Sequence, residues 1–175
     1  RRIGENELFT INTLLAVVDT QREYAMKDLD KNGLHDYAKK FISDPGKKNG
    51  LYWDAKPGEP ESPLGPIMKQ ARNEGYKSGA PSYHGYQYRI LTAQGKNAPG
   101  GAYSYIVKGN MMGGFAVVAY PVEYGNSGIM TFIVNYDGKV LQKDLGKNTA
   151  AAGAAMKEYN PDKTWAEAKI DTASK

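Results

Sequence analysis

Between Glu5 and Ala25, apolar residues recur at helical spacing. Leu8, Ile11, Leu15 and Val18 form one stripe, and Leu14 and Ala25 widen it. Asn6, Asp19, Arg22 and Glu23 lie beside the stripe or opposite it. This predicts a long amphipathic helix, and so broad a stripe needs a broad partner such as a sheet. Asp28 to Gly33 reads as a turn. Asp36 to Ile42 reads as a short second helix with Tyr37, Phe41 and Ile42 on its inner face. Residues 43–66 hold five of the nine prolines and four glycines, yet Leu51, Tyr52, Trp53 and Leu64 give the segment apolar anchors. It is an ordered Pro-rich insertion rather than a linker. Pro66 to Glu74 predicts a short helix stopped by Gly75, and Gly79-Ala80-Pro81 is a further break.

The second half changes period. Tyr86, Tyr88, Ile90 and Thr92 alternate with Gln87, Arg89 and Leu91, which predicts a strand. Tyr103, Tyr105 and Val107 alternate likewise. Phe115 to Tyr120 and Ile129 to Asn135 are more continuously apolar strands. Lys139 to Lys143 pairs back across Tyr136-Asp137-Gly138, because Asp-Gly tolerates the positive φ that tight hairpins need. Thr149 to Tyr159 predicts an alanine-rich helix ended by Asn160-Pro161, with a helical turn around Trp165 after it. The expected fold class is α+β: an N-terminal helix packed on a four- to five-stranded antiparallel meander, with short helices and the Pro-rich insertion around it. Residues 1–175 are expected to form a single domain.

Composition narrows the function classes. Apolar residues are 41% and charged residues 24% of the chain, ordinary for a globular protein. The longest apolar run, Ile11 to Val18, is interrupted by Asn12 and Thr13, so no segment spans a bilayer. The net charge of +4 is spread along the chain, which argues against a nucleic-acid partner. The absence of cysteine excludes disulfides, thiolate metal sites and a cysteine nucleophile. Tyrosine supplies 13 of the aromatic residues, and its amphipathic ring suits half-buried sheets and binding faces. The chain opens on Arg1-Arg2-Ile3 without a methionine or signal peptide, as expected of the C-terminal fragment of a longer protein.

Several long motifs carry a resemblance. They include Arg1-Arg-Ile-Gly-Glu-Asn-Glu-Leu8, Asp19-Thr-Gln-Arg-Glu-Tyr-Ala25, Gly50-Leu-Tyr-Trp53 and Pro57-Gly-Glu-Pro-Glu-Ser-Pro-Leu-Gly65. Tyr83-His-Gly-Tyr86, Arg89-Ile-Leu-Thr-Ala-Gln-Gly95, Gly113-Gly-Phe-Ala116 and Met130-Thr-Phe-Ile-Val-Asn135 continue the series. Together they resemble the bacterial domain-of-unknown-function family 2950 over nearly the whole chain. The resemblance implies an exported, periplasmic or extracellular protein and carries no reaction. The layout is also similar to the soluble part of type IV pilins and pseudopilins, although the long apolar first segment of those proteins is missing.

Three constellations could carry chemistry. In the first, Asp28, Asp30, Asn32, the Leu34 carbonyl and Asp36 take the spacing of calcium-loop ligands, with Gly33 at the required turn. The last ligand position is Lys39, a cation, so a structural Ca2+ here would need a carboxylate from elsewhere, such as Glu59 or Glu61, or bound water. The favoured reading of the same run is a capped polar turn between two helices. In the second, His84 lies among Tyr83, Tyr86, Tyr88 and Arg89, where it could be an acid–base centre or part of a binding surface with Trp53. In the third, Glu59 and Glu61 follow Trp53 and Asp54, a pair of carboxylates beside an aromatic ring that suits glycoside chemistry. The glycines of 108–114 lack the Gly-Lys-Ser/Thr ending of a phosphate loop, and Ser127 lacks the context of a nucleophile elbow. No complete catalytic set results. The expectation is a non-catalytic binding or structural domain of the cell envelope with an envelope protein or a glycan as partner. The alternative is a hydrolase of cell-wall or polysaccharide material using His84, Glu59 or Glu61.

Overall fold

A computed structural model describes residues 2–28, 31–73 and 82–168. Helix α1 runs from Arg2 to Lys27. Its buried positions are Thr10, Ile11, Thr13, Leu14, Val17, Val18, Gln21, Tyr24 and Ala25. The buried stripe is therefore rotated from the one the apolar pattern predicts: Leu8 is exposed, and threonines and a glutamine take core positions. Hydrogen bonding permits this. Thr10 and Thr13 donate their hydroxyls to the Asn6 and Phe9 carbonyls one turn earlier. The Gln21 amide accepts from the Ala38 N–H and donates to the Ala38 carbonyl, both at 2.8 Å.

Asp36 to Ile42 is not the expected helix, and its backbone bonds outward instead. The Tyr37 N–H donates to the Met111 carbonyl at 2.8 Å, Ala38 is held by Gln21, and Ile42 bridges Tyr52. A segment whose amides are taken by distant partners has none left for an i→i−4 ladder. Helix α2 spans Gly65–Asn73, with Pro66 in its first turn. The expected stops at Gly75 and Gly79-Ala80-Pro81 lie outside the described residues.

The strands are β1 (Ser82–Tyr83), β2 (Tyr86–Leu91), β3 (Ala93–Gln94), β4 (Tyr103–Ser104), β5 (Ile106–Val107), β6 (Asn110–Met111), β7 (Ala116–Pro121), β8 (Met130–Asn135), β9 (Leu141–Asp144) and β10 (Ala166–Glu167). The main sheet has six strands in the order β1-β2-β7-β8-β9-β10, all antiparallel, somewhat more than the predicted four or five. Short end strands β1 and β10 account for the difference. The predicted alternation of Tyr103, Tyr105 and Val107 is split between two ribbons, β3–β4 and β5–β6, inserted between β2 and β7. At the break, the buried Tyr105 turns its N–H to the Thr92 carbonyl.

Register assigns the faces. Tyr88 pairs with Ala119, Ala119 with Phe132, and Val117 with Val134, so these share one face. Arg89 pairs with Val118, and Val118 with Ile133, on the other. Helix α1 covers the first face and is tied to both ends of β8. Glu7 accepts from the Met130 N–H at 2.8 Å, and Arg22 donates to the Tyr136 carbonyl at 2.8 Å. The spans match: Glu7 to Arg22 is about 22 Å along a helix, and Met130 to Tyr136 about 20 Å along a strand. Helix α3 (Thr149–Ala155) covers the second face and is shorter than the predicted Thr149–Tyr159. The Arg89 guanidinium donates to the Gly153 and Met156 carbonyls at 2.7 and 2.8 Å and closes the helix there. Gly153 lies on the Tyr120 ring, where an added Cβ would come within 2.4 Å, so this contact demands glycine. With helices on both faces, all six residues of β7 are buried.

Candidate functional site

Residues 43–65 contribute no strand to the main sheet and are shaped by local polar bonds between a few core anchors. Tyr52 donates its N–H to the Phe41 carbonyl, and its own carbonyl accepts from the Ser43 N–H, both at 2.8 Å. Asn49 closes the intervening loop by donating to Asp44 Oδ2 at 2.8 Å and accepting from the Asp44 N–H at 2.9 Å. Lys40 adds an ion pair to Asp44 at 2.9 Å. The Asn49 hydrogen bond, followed by Lys40, holds the Asp44 carboxyl below the usual carboxylate range. Gly50 lies against the Ile42–Ser43 peptide, where a Cβ would come within 2.7 Å. Leu51, Tyr52 and Leu64 anchor the segment in the core, and the Tyr24 hydroxyl ties the Lys48 carbonyl to the C-terminal end of α1.

Two clefts share the Tyr52-Trp53-Asp54 segment as a wall. One, of about 410 Å³, runs from Trp53 along the Pro-rich turn to Glu61, Ser62 and Lys69. The other, of about 520 Å³, runs from Trp53 toward Asp44, Lys47 and Lys48. Tyr52, Trp53, Asp54, Lys56 and Glu59 line both. Trp53 is 8% exposed, and the Lys48 ammonium lies 5.6 Å from its ring centroid. Tyr52 donates its hydroxyl to Asp54 at 2.6 Å, and Glu61 pairs with Lys69 at 2.8 Å. Two buried polar atoms of the walls, Trp53 Nε1 and Ser62 Oγ, have no hydrogen-bond partner among the described residues.

The structure thus brings Trp53, Asp54, Glu59 and Glu61 to one site, as their proximity in sequence suggested. His84 is not among the residues lining either cleft. It takes the first position of a two-residue β1–β2 turn with φ 51°, followed by Gly85 at φ 77°. Its ring stacks on Phe9 at 4.3 Å and meets Tyr83 edge-on at 4.4 Å. Tyr83 and Tyr88 line a small apolar gap with Val17 and Met68. Tyr86 is buried and donates its hydroxyl to the Met130 carbonyl; burial pushes its ionisation far up. Arg89 is committed to α3. Lys48, Ser62 and Lys69 are site residues that the sequence did not single out. Lys69, on α2, reaches Glu61 eight positions earlier in the chain.

At the Asp28 turn, Asp28 has φ 47° and its carboxylate accepts the N–H groups of Asn32 and Gly33 at 3.1 and 2.9 Å. Asn32 accepts from the Leu34 N–H and donates to both oxygens of the buried Asp36. Asp30 lies outside the described residues. Among the described residues, no three His, Cys, Asp or Glu converge as a metal group, and no helix is long and apolar enough to cross a membrane.

A family model described as protein of unknown function (DUF2950) covers residues 1–168. No curated protein and no solved structure matches.

Proposed function

The chain belongs to this family of proteins of unknown function, and from that premise we propose that it is a non-catalytic binding domain of the bacterial cell envelope, working outside the cytoplasm. The observation that carries the binding role is the pair of clefts sharing the Trp53 wall. Each lies within the roughly 300–1,000 Å³ range of small-ligand sites, each is rimmed by charged side chains, and the loop beside the second is closed by the Asp44–Asn49 hydrogen bonds. Export and an envelope location rest on the sequence resemblance, and the partner is an envelope protein or a glycan.

The second reading is a hydrolase of cell-wall or polysaccharide material, and the meeting of Glu59 and Glu61 in one cleft favours it. The surroundings favour it less. A general acid working near neutral pH needs a desolvated carboxyl, whereas both glutamates are exposed and Glu61 is ion-paired. Sedimentation of the purified protein with isolated envelope particles tests the proposal. The protein should pellet with the particles, the Lys56→Ala/Glu59→Ala double variant should stay in solution, and no reducing ends should appear. Reducing ends that vanish in Glu59→Gln would move the assignment to the hydrolase. A wild-type protein that stays in the supernatant would remove the binding role.

A further inference from the structure

We infer that the two clefts form one groove for an extended, uncharged, polyhydroxylated chain, a neutral oligosaccharide strand. This rests on the binding role proposed above and names its ligand.

Continuity comes from the shared wall. Tyr52, Trp53, Asp54, Lys56 and Glu59 line both clefts, so a ligand lying along this shared wall contacts both at once. Charge then selects the class. The groove carries four carboxylates, Asp44, Asp54, Glu59 and Glu61, and four lysines, Lys47, Lys48, Lys56 and Lys69. The groove is neutral although the chain carries +4. An anionic polymer would meet four repelling carboxylates and a cationic one four lysines, at similar cost. Sugar hydroxyls donate and accept together, so they use ammonium groups and carboxylates side by side.

A peptide fits less well. Strand addition needs a free edge, and the backbone of Ser43 and Tyr52 is spent on their own bridge. The walls also hold few aliphatic groups that could receive apolar side chains. Trp53 Nε1 and Ser62 Oγ lie buried behind the walls and have no hydrogen-bond partner among the described residues. Lys48 holds the place of the ligand: its ammonium covers the indole, and a sugar ring that displaces it gains the aromatic face.

Fluorescence titration on a Trp165→Phe background, which leaves Trp53 as the reporter, tests this with N-acetylglucosamine, its tetramer, and a sulfated polysaccharide. The tetramer should shift Trp53 emission and bind at least about tenfold tighter than the single sugar, because it engages both clefts. Its affinity should change less than about twofold between 50 and 300 mM salt, as expected without charge pairing. Glu61→Ala and Lys56→Ala should each weaken it several-fold with an unchanged melting temperature. Equal affinity for the single sugar and the tetramer, tighter binding of the sulfated chain, or no binding of any sugar overturns the inference. If envelope particles still bind while sugars do not, the binding role stands and the oligosaccharide assignment falls. If neither binds, both fall.

Discussion

The sheet and the 43–65 segment meet in one core through Leu51, Tyr52 and Leu64, yet they are held by different forces. In the sheet, β7 is buried along its whole length between α1 and α3, and its side chains are ordered by close packing on both faces. In the 43–65 segment, Leu51, Tyr52 and Leu64 fasten the loop, while Asp44, Asn49, Lys40 and Ser43 shape it through hydrogen bonds at the surface. A region closed on both faces can position a site but cannot touch a ligand. A loop fixed at a few anchors can present side chains to solvent without losing its shape. Stability should therefore be concentrated in the first region and recognition in the second.

The largest test of that division is Phe132→Ala. Phe132 is fully buried under α1 beside Tyr86, with ring centroids 5.8 Å apart. Its truncation should cost about 3–5 kcal/mol, read from chemical denaturation. A loss below about 1 kcal/mol would contradict the close packing assigned to the sheet. Gln21→Leu comes next. It keeps the volume but removes both partners of the Ala38 peptide, leaving a buried N–H and carbonyl unsatisfied. The expected cost is about 2–4 kcal/mol, with faster hydrogen exchange across residues 36–42.

That second residue also marks how far the sequence could be read. The 3.6-residue period revealed α1, and Asp137-Gly138 revealed the β8–β9 hairpin, because both signals are local. Which flank of α1 faces inward was not local. Thr10, Thr13 and Gln21 count as polar in any periodic pattern, and their burial depends on carbonyls one turn back and on a peptide 17 positions away. Tyr37, Phe41 and Ile42 have helical spacing, yet β6 and α1 take the backbone bonds a helix would need. The site divides similarly. Trp53, Asp54, Glu59 and Glu61 were visible as neighbours in sequence, whereas Lys69 joins them through an ion pair made by the fold. His84 attracted notice as a histidine among tyrosines, and its place is a hairpin turn stacked on Phe9.

Alkaline pH probes the packed region further. Burial, with Asp137 and Tyr136 nearby, pushes the Tyr159 hydroxyl up to about 12. A phenol whose ionisation is raised by folding stabilises the native state below its unfolded value of about 10 and loses that contribution as pH climbs through the folded value. Denaturation midpoints should fall between about pH 10 and 12, and Tyr159→Phe should remove roughly 2–3 kcal/mol of that dependence. A midpoint profile identical in Tyr159→Phe would remove this residue from the account.

The Asp28 turn belongs with the loop in kind, since polar bonds shape it. Asp28→Ala removes the acceptor for the Asn32 and Gly33 N–H groups and should cost about 1–2 kcal/mol. If hydrogen bonds alone hold the turn, calcium and chelator leave the wild-type melting temperature unchanged. A rise with calcium that Asp28→Ala abolishes would place an ion among Asp28, Asn32, the Leu34 carbonyl and Asp36, because a ligand bound only by the native state must stabilise it.

Glu61→Gln gives the smallest stability effect and the sharpest contrast. Glu61 and Lys69 are both largely exposed, so their pair should contribute less than about 1 kcal/mol. The substitution keeps the shape of the side chain and removes its charge, leaving Lys69 unpaired and the groove with one lysine in excess. Melting should be unchanged while binding of the neutral tetramer weakens and binding of the sulfated chain strengthens. A change in melting temperature as large as that of Gln21→Leu would mean that the groove is part of the structural core, and the separation between a packed scaffold and a recognising loop would not hold.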